Sequence, residues 1–250
     1  TPHLGASTKE ANVNCSLGVA KNVEAVLNGE LVAAVNMPHF SGDIETLKPY
    51  INLGEKLGAI YYQAEQERVH KIEIVYSGDL VDQSTKPITL AIIKGFLSVV
   101  SESEVNYVNA QLKLNEMGVE LIESKSSNLE KYTNLITVKF YRKSNVISVA
   151  GTVFGKDSIR IVNFFGYKLD FEPTKYVLAL QNMDVPGIIG KVGTLLGQND
   201  INIAAMQWSR RDPSSKKAVS FVSVDTDVSD DIVEKLRNTD GILKVSRLYF

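Results

Sequence analysis

An α+β fold is predicted for this 250-residue chain by three observations. Helix-period and strand-period segments succeed one another through the middle of the sequence. The last quarter reads strand, helix, strand, strand, helix, strand. Apolar residues make up 44 % of the total, ample for packed cores.

The elements follow in order. After the opening string TPHLGAST, Ser7 and Glu10 stand in capping-box spacing. A helix is expected from there through Ala11, Leu17, Ala20, Val23 and Leu27 to a stop at Asn28-Gly29. Pro38 and Gly42 break the periodicity across 33–43, which marks a boundary and gives expected units of 1–40, 41–173 and 174–250. Beyond it Leu53, Leu57, Ile60 and Tyr61 share one helix face, and Ile72, Ile74 and Tyr76 alternate with Lys71 and Glu73 as a strand. Thr85 and Pro87 introduce a helix with Ile88, Ala91, Ile92 and Phe96 inward. Strands are then expected at Val119 to Ile122, Leu135 to Tyr141, Val146 to Phe154 and Ile159 to Val162. The result is an α+β unit of about 130 residues, within the usual domain range.

The segment VLALQNMDVPGIIGKVGTLLGQNDINIAAMQWSR, from Val177 to Arg210, carries the chemistry. It reads as an apolar strand, an Asp-Val-Pro-Gly turn, an amphipathic helix and a second strand. Pro186 suits the first helical position, having no N–H to orphan and a preset φ. Gly187 lets a ligand approach the free amides of the first turn, where the helix dipole favours a carboxylate. Asp184 is placed to take an ammonium group, and Asn202 offers a donor and an acceptor at the start of the returning strand. An α-amino acid carries both charges and satisfies all these partners. In the plainer reading Asp184 only complements the helix dipole, worth roughly 0.3–1 kcal/mol, while Asn199 and Asn202 shape a turn.

After the polar break RDPSSKK, a strand runs from Ala218 to Val224. Ser229 caps a helix with Asp230 and Asp231 in its first turn and Ile232, Val233 and Leu236 inward. Asp240-Gly241 stops it, and Ile242 to Phe250 closes the βαββαβ order. Residues 176–250 thereby resemble an ACT domain, a ferredoxin-like regulatory module of amino-acid metabolism. The resemblance implies an effector held between two copies by Asn182, Asp184, Pro186, Gly187 and Asn202. The pattern N-x-D-x-P-G followed by I-N-I-A is similar to the serine-responsive members.

The string P-H-L-G-A-S-T resembles the last catalytic segment of the D-isomer 2-hydroxyacid dehydrogenases, whose P-H-x-G histidine exchanges a proton with the substrate hydroxyl while hydride goes to NAD. The resemblance makes His3 that histidine, and an imidazole titrating near neutrality suits the task. No G-x-G-x-x-G followed by an acidic residue is present, so this chain is expected to hold no NAD and His3 to be vestigial.

Dehydrogenase tail and C-terminal ACT module together resemble the phosphoglycerate dehydrogenases, cytoplasmic NAD-dependent oxidoreductases of serine biosynthesis, in their longer form with an allosteric substrate-binding domain between the two. The resemblance implies L-serine as feedback effector, a homo-oligomer joined through ACT domains, and an anion such as a phosphate ester on the middle domain. Lys156, Arg160 and Lys168 are its candidate contacts. Basic residues on strands flanked by Asp157 and Asp170 are usually solvated surface, which is the plainer reading of all three. The chain is expected to be a carboxy-terminal piece of a longer enzyme, through truncation or an interrupted gene, and inactive alone. Two alternatives are a ligand-independent oligomerisation module and a subunit related to the L-serine dehydratases. The iron–sulfur dehydratases need several cysteines, and Cys15 stands alone here.

A net charge of -2 carries no nucleic-acid footprint, and no apolar run is long enough to span a bilayer. His3, His39 and His70 lack the short ligand spacings of a zinc site, so no metal is expected.

Overall fold

The structure, a computed structural model, describes residues 5, 7–28, 32, 44–127, 131–212 and 214–250. His3, His39 and the expected boundary at 33–43 lie outside the described residues. Helix α1 (Lys9–Leu27) begins one residue later than the capping-box spacing implies. Its N-cap is Thr8, whose hydroxyl accepts the Ala11 N–H at 3.1 Å, because a cap oxygen reaches the amide three residues on. The helix stops at Asn28 as expected and buries none of its residues.

The first sheet has the order β2-β1-β3-β4-β5-β6, made of β1 (Val69–Gly78), β2 (Glu120–Ser126), β3 (Asn134–Arg142), β4 (Val146–Phe154), β5 (Ser158–Phe164) and β6 (Tyr167–Phe171). One face carries α2 (Ile44–Ala64) and α3 (Lys86–Ser98). The stripe Leu53, Leu57, Ile60 and Tyr61 of α2 is fully buried, as are Ile72, Ile74 and Tyr76 of β1 and Ile88, Ala91, Ile92 and Phe96 of α3. Two glycines let the helices cross at backbone contact. A Cβ on Gly58 would stand 2.0 Å from the Ile92 oxygen, and one on Gly95 would stand 1.9 Å from the Glu55 oxygen.

Two elements go beyond the sequence expectations. Helix α4 (Ala110–Glu116) spans seven residues and buries only Ala110 and Leu114, too little to leave a periodic signature. Strand β6 follows β5 through Phe165-Gly166, both at positive φ (50° and 91°), the geometry that folds a tight hairpin back along its own twist.

On the face of the sheet turned away from α2 and α3, Glu73 accepts from the Tyr141 hydroxyl at 2.5 Å and from Lys139 Nζ at 3.1 Å, while Lys71 Nζ lies 3.8 Å from the Tyr141 ring centre. The Tyr141 hydrogen bond, ahead of Lys139, holds the Glu73 carboxyl below the usual carboxylate range. A depressed folded pKa adds stability above the unfolded value of about 4, and that stability is lost as the pH falls through the folded value. Tyr141→Phe is therefore expected to raise the Glu73 carboxyl in an NMR titration and to lower stability at neutral pH. In thermal melts the deficit relative to the unaltered chain closes in acid.

The second sheet has the order β10-β7-β9-β8, from β7 (Tyr176–Met183), β8 (Ile203–Arg210), β9 (Lys217–Val224) and β10 (Ile242–Tyr249). Helices α5 (Ile188–Gly197) and α6 (Asp230–Arg237) cover one face, over Leu178, Leu180, Val222 and Val224. This is the expected α+β, ferredoxin-like βαββαβ arrangement. The other face packs on the first sheet, with Phe164 and Phe171 against Phe221 at ring separations of 4.8 and 5.0 Å. The Gln63 side chain of α2 treats β10 as a neighbouring strand would: its amide donates to Tyr249 O (3.2 Å) and accepts from Tyr249 N (2.6 Å). Beside it Glu65 bridges Lys244 of β10 and Arg142 of β3. Among the described residues no helix is long and apolar enough to cross a membrane.

Candidate functional site

Alternation along a strand decides what meets at the start of α5. On β7, Leu178, Leu180 and Asn182 face the helices, and Asp184 follows on the same side. Across the register, Ser220 of β9 stands opposite Leu180, Trp208 of β8 opposite Ser220, and Arg210 opposite Ala218. The 184–189 turn, Trp208 and Arg210 line a concavity of about 300 Å³.

Pro186 is not the first helical residue. Gly187 is the N-cap, at φ 90° and ψ -14°, a left-handed conformation that removes the need for a capping side chain and sets Pro186 one residue outside the helix. A Cβ at Gly187 would meet nothing within 4 Å, so the glycine is required by its φ rather than by crowding. The first intrahelical bond runs from Lys191 N to Gly187 O, at 3.0 Å. The amides of Ile188, Ile189 and Gly190 thus precede the helical ladder and carry the positive end of its dipole.

Asp184 is anchored by its own N–H, which donates to Lys216 O at 2.9 Å. Its carboxylate, 19 % exposed, meets Arg210 Nε at 2.5 Å. Asn182 is fully buried; its Nδ2 donates to Met183 O at 2.7 Å, and its Oδ1 has no hydrogen-bond partner among the described residues. The buried Ser220 hydroxyl shares that condition.

Asn202 lies elsewhere. It stands before the first residue of β8, exposed, with Nδ2 on Asp225 at 2.6 Å. Arg210 beside Asp184 ends the same strand, which puts Asn202 on the order of 25 Å away at an extended rise per residue. Asp184, Pro186 and Gly187 therefore gather in one chain, Asn182 is buried at the end of β7 outside the lining, and Asn202 does not join them. Arg210 joins the site without having been singled out in the sequence. Its signal is strand parity with Trp208, readable only once β8 and β9 are known to be neighbours.

The proposed anion contacts of the first sheet do not converge. Arg160 is committed to Asp170 (3.5 Å) and Glu172 (2.5 Å). Lys156 sits in the β4–β5 turn, whereas Lys168 pairs with Asn163 towards the far end of β5. Among the described residues no group of three His, Cys, Asp or Glu is arranged to hold a metal. A larger cleft of about 1300 Å³ runs between α2 and β10. Its charges are largely spent on one another and on neighbours, Glu55 on Lys94, Glu65 on Lys244 and Arg247 on Asp230.

Residues 46–165 match the D-3-phosphoglycerate dehydrogenase intervening domain, and residues 176–241 match the ACT domain. The chain is 37 % identical over 247 residues to D-3-phosphoglycerate dehydrogenase of Bacillus subtilis, covering 98 % of this chain and 47 % of that protein. Proteins of the same name from Synechocystis (35 %; 97 % of this chain, 44 % of that protein) and Methanocaldococcus jannaschii (34 %; 98 % and 47 %) are similar as well. The chain spans less than half the length of these relatives.

Proposed function

Because the chain belongs to the D-3-phosphoglycerate dehydrogenase family, of which it carries the intervening domain and an ACT domain, we propose that it is the regulatory part of such an enzyme and binds L-serine where two ACT domains meet. One observation carries this reading. Asp184 and the free amides of α5 share a concavity, while Asn202 stands at the opposite end of β8, an edge strand of its sheet. Antiparallel pairing of β8 with β8 of a second copy, centred on Met206, lays Asn202 of one chain opposite Arg210 of the other and completes the site. Exposed Ala204 and Ala205 leave room for the two strands to approach.

In this arrangement the ligand's ammonium meets Asp184, its carboxylate the start of α5, and its remaining polar group Asn202 of the second copy. A ligand that touches two chains favours the paired form. Linkage turns that preference into inhibition when pairing restrains the catalytic portion of the enzyme. Hydride transfer and NAD belong to that catalytic portion, since this sequence has no G-x-G-x-x-G.

The test is calorimetric titration of the chain with L-serine, glycine and 3-phosphoglycerate. L-serine is expected to bind at millimolar concentration or below, and Asp184→Ala to weaken it by about a hundredfold, the cost of one lost charge-assisted contact. No heat with L-serine at millimolar concentration overturns the reading. A pairing module without a ligand is the second reading, favoured by the Asp184–Arg210 contact that already satisfies the acid; unchanged dimerisation with no response to any of the three compounds would select it.

A further inference from the structure

We propose that Arg210 is the carboxylate partner of the bound amino acid, and that it changes partners on binding, from Asp184 in the free protein to the ligand. The inference rests on the reading of the α5 end as an amino-acid site and goes beyond it by assigning a residue and a switch. Asp184 is only 19 % exposed, and its carboxylate is paired with a cation. Arg210 supplies that cation through Nε while its own side chain stays 59 % exposed. Asp184 is the only acid it meets among the described residues. Arg210 is the last residue of β8, its backbone paired with Ala218 and its side chain open to solvent.

Charge balance then selects the ligand class. An ammonium that reaches Asp184 must displace the guanidinium from it. A bare amine would send Arg210 into water with nothing in return, and a bare carboxylate would draw Arg210 away and leave Asp184 buried and unpaired. A zwitterion inserted between the two does neither. It leaves four alternating charges in a row, Asp184, ammonium, carboxylate and Arg210, with the planar guanidinium fork matching the carboxylate. The same pair that closes the empty site therefore becomes its filter for α-amino acids over either half of one.

The experiment compares L-serine with ethanolamine, which keeps the ammonium and hydroxyl but lacks the carboxylate, on the unaltered chain, Arg210→Gln and Arg210→Lys. Affinities come from calorimetry, with ethanolamine also measured by displacement of serine, and melting curves report folding. Arg210→Gln is expected to bind L-serine at least about tenfold more weakly and to bind ethanolamine as well as or better than the unaltered chain. Arg210→Lys, which keeps the charge without the fork, is expected between the two for L-serine. Should the glutamine variant not fold, the lysine variant decides by the same comparison of two ligands. L-serine affinity equal or higher in both variants overturns the exchange of partners while leaving the amino-acid site standing. An unaltered chain that ignores L-serine overturns that site reading, and this inference with it.

Discussion

Gly95→Ala is expected to be strongly destabilising. The added methyl would stand 1.9 Å from the carbonyl oxygen of Glu55 and 3.1 Å from the amide nitrogen of Ala59. Both belong to the α2 backbone and cannot rotate aside, so the helices must separate. The separation reaches Leu57, Ile60, Tyr61, Ile92 and Phe96, all fully buried at that crossing. Overpacking of a core costs typically 1–3 kcal/mol and occasionally more, and contact with main chain rather than a side-chain tip places this case at the top of that range or above. At about 3 kcal/mol the melting temperature of a chain this size falls by roughly 6–12 °C. Differential scanning calorimetry measures it, and Gly118→Ala supplies a control. A methyl added at Gly118 would meet nothing within 4 Å, but the residue sits at φ 68°, so the loss there reflects backbone strain alone.

Mixing two defective chains is expected to restore L-serine binding. If Asp184 and Asn202 serve one ligand from different copies, Asp184→Ala and Asn202→Ala each damage every site in their own dimers. A mixed dimer instead concentrates both defects in one site and leaves the other intact. Random exchange of subunits makes half the dimers mixed, so roughly one quarter of all sites should titrate with the affinity of the unaltered chain. Calorimetry after mixing and equilibration measures the stoichiometry. A site built within one chain predicts no recovery, and a mixture that stays silent while the unaltered chain binds L-serine would exclude the shared geometry.

Much of this was legible from the sequence because period and burial coincide. Leu53, Leu57, Ile60 and Tyr61 repeat at helical spacing and are all buried, and the six elements from Tyr176 onward have the expected types in the expected order. What escaped depends on single atoms or on distant neighbours. Thr8 rather than Ser7 caps α1, a choice between adjacent hydroxyls that pattern cannot make. Gly187 takes the cap and leaves Pro186 outside the helix, because a left-handed residue closes the turn one position later. Asn202 belongs to the same motif as Asp184 yet lies a strand's length away, since the chain between them runs down α5 and into the return strand. Arg210 reaches Asp184 only because β8 and β7 flank β9, a fact of sheet order rather than of spacing.

The amide of Gln63 on Tyr249 has a consequence for assembly. A four-stranded sheet has two borders, and one able to recruit strands at both would grow copy upon copy into a filament. Here Gln63 takes both main-chain groups of Tyr249, and Arg237 reaches the Val245 carbonyl at 3.5 Å, so part of the β10 border is already occupied. On the proposed pairing, recruitment through this sheet falls to β8, and a single self-complementary border stops at two.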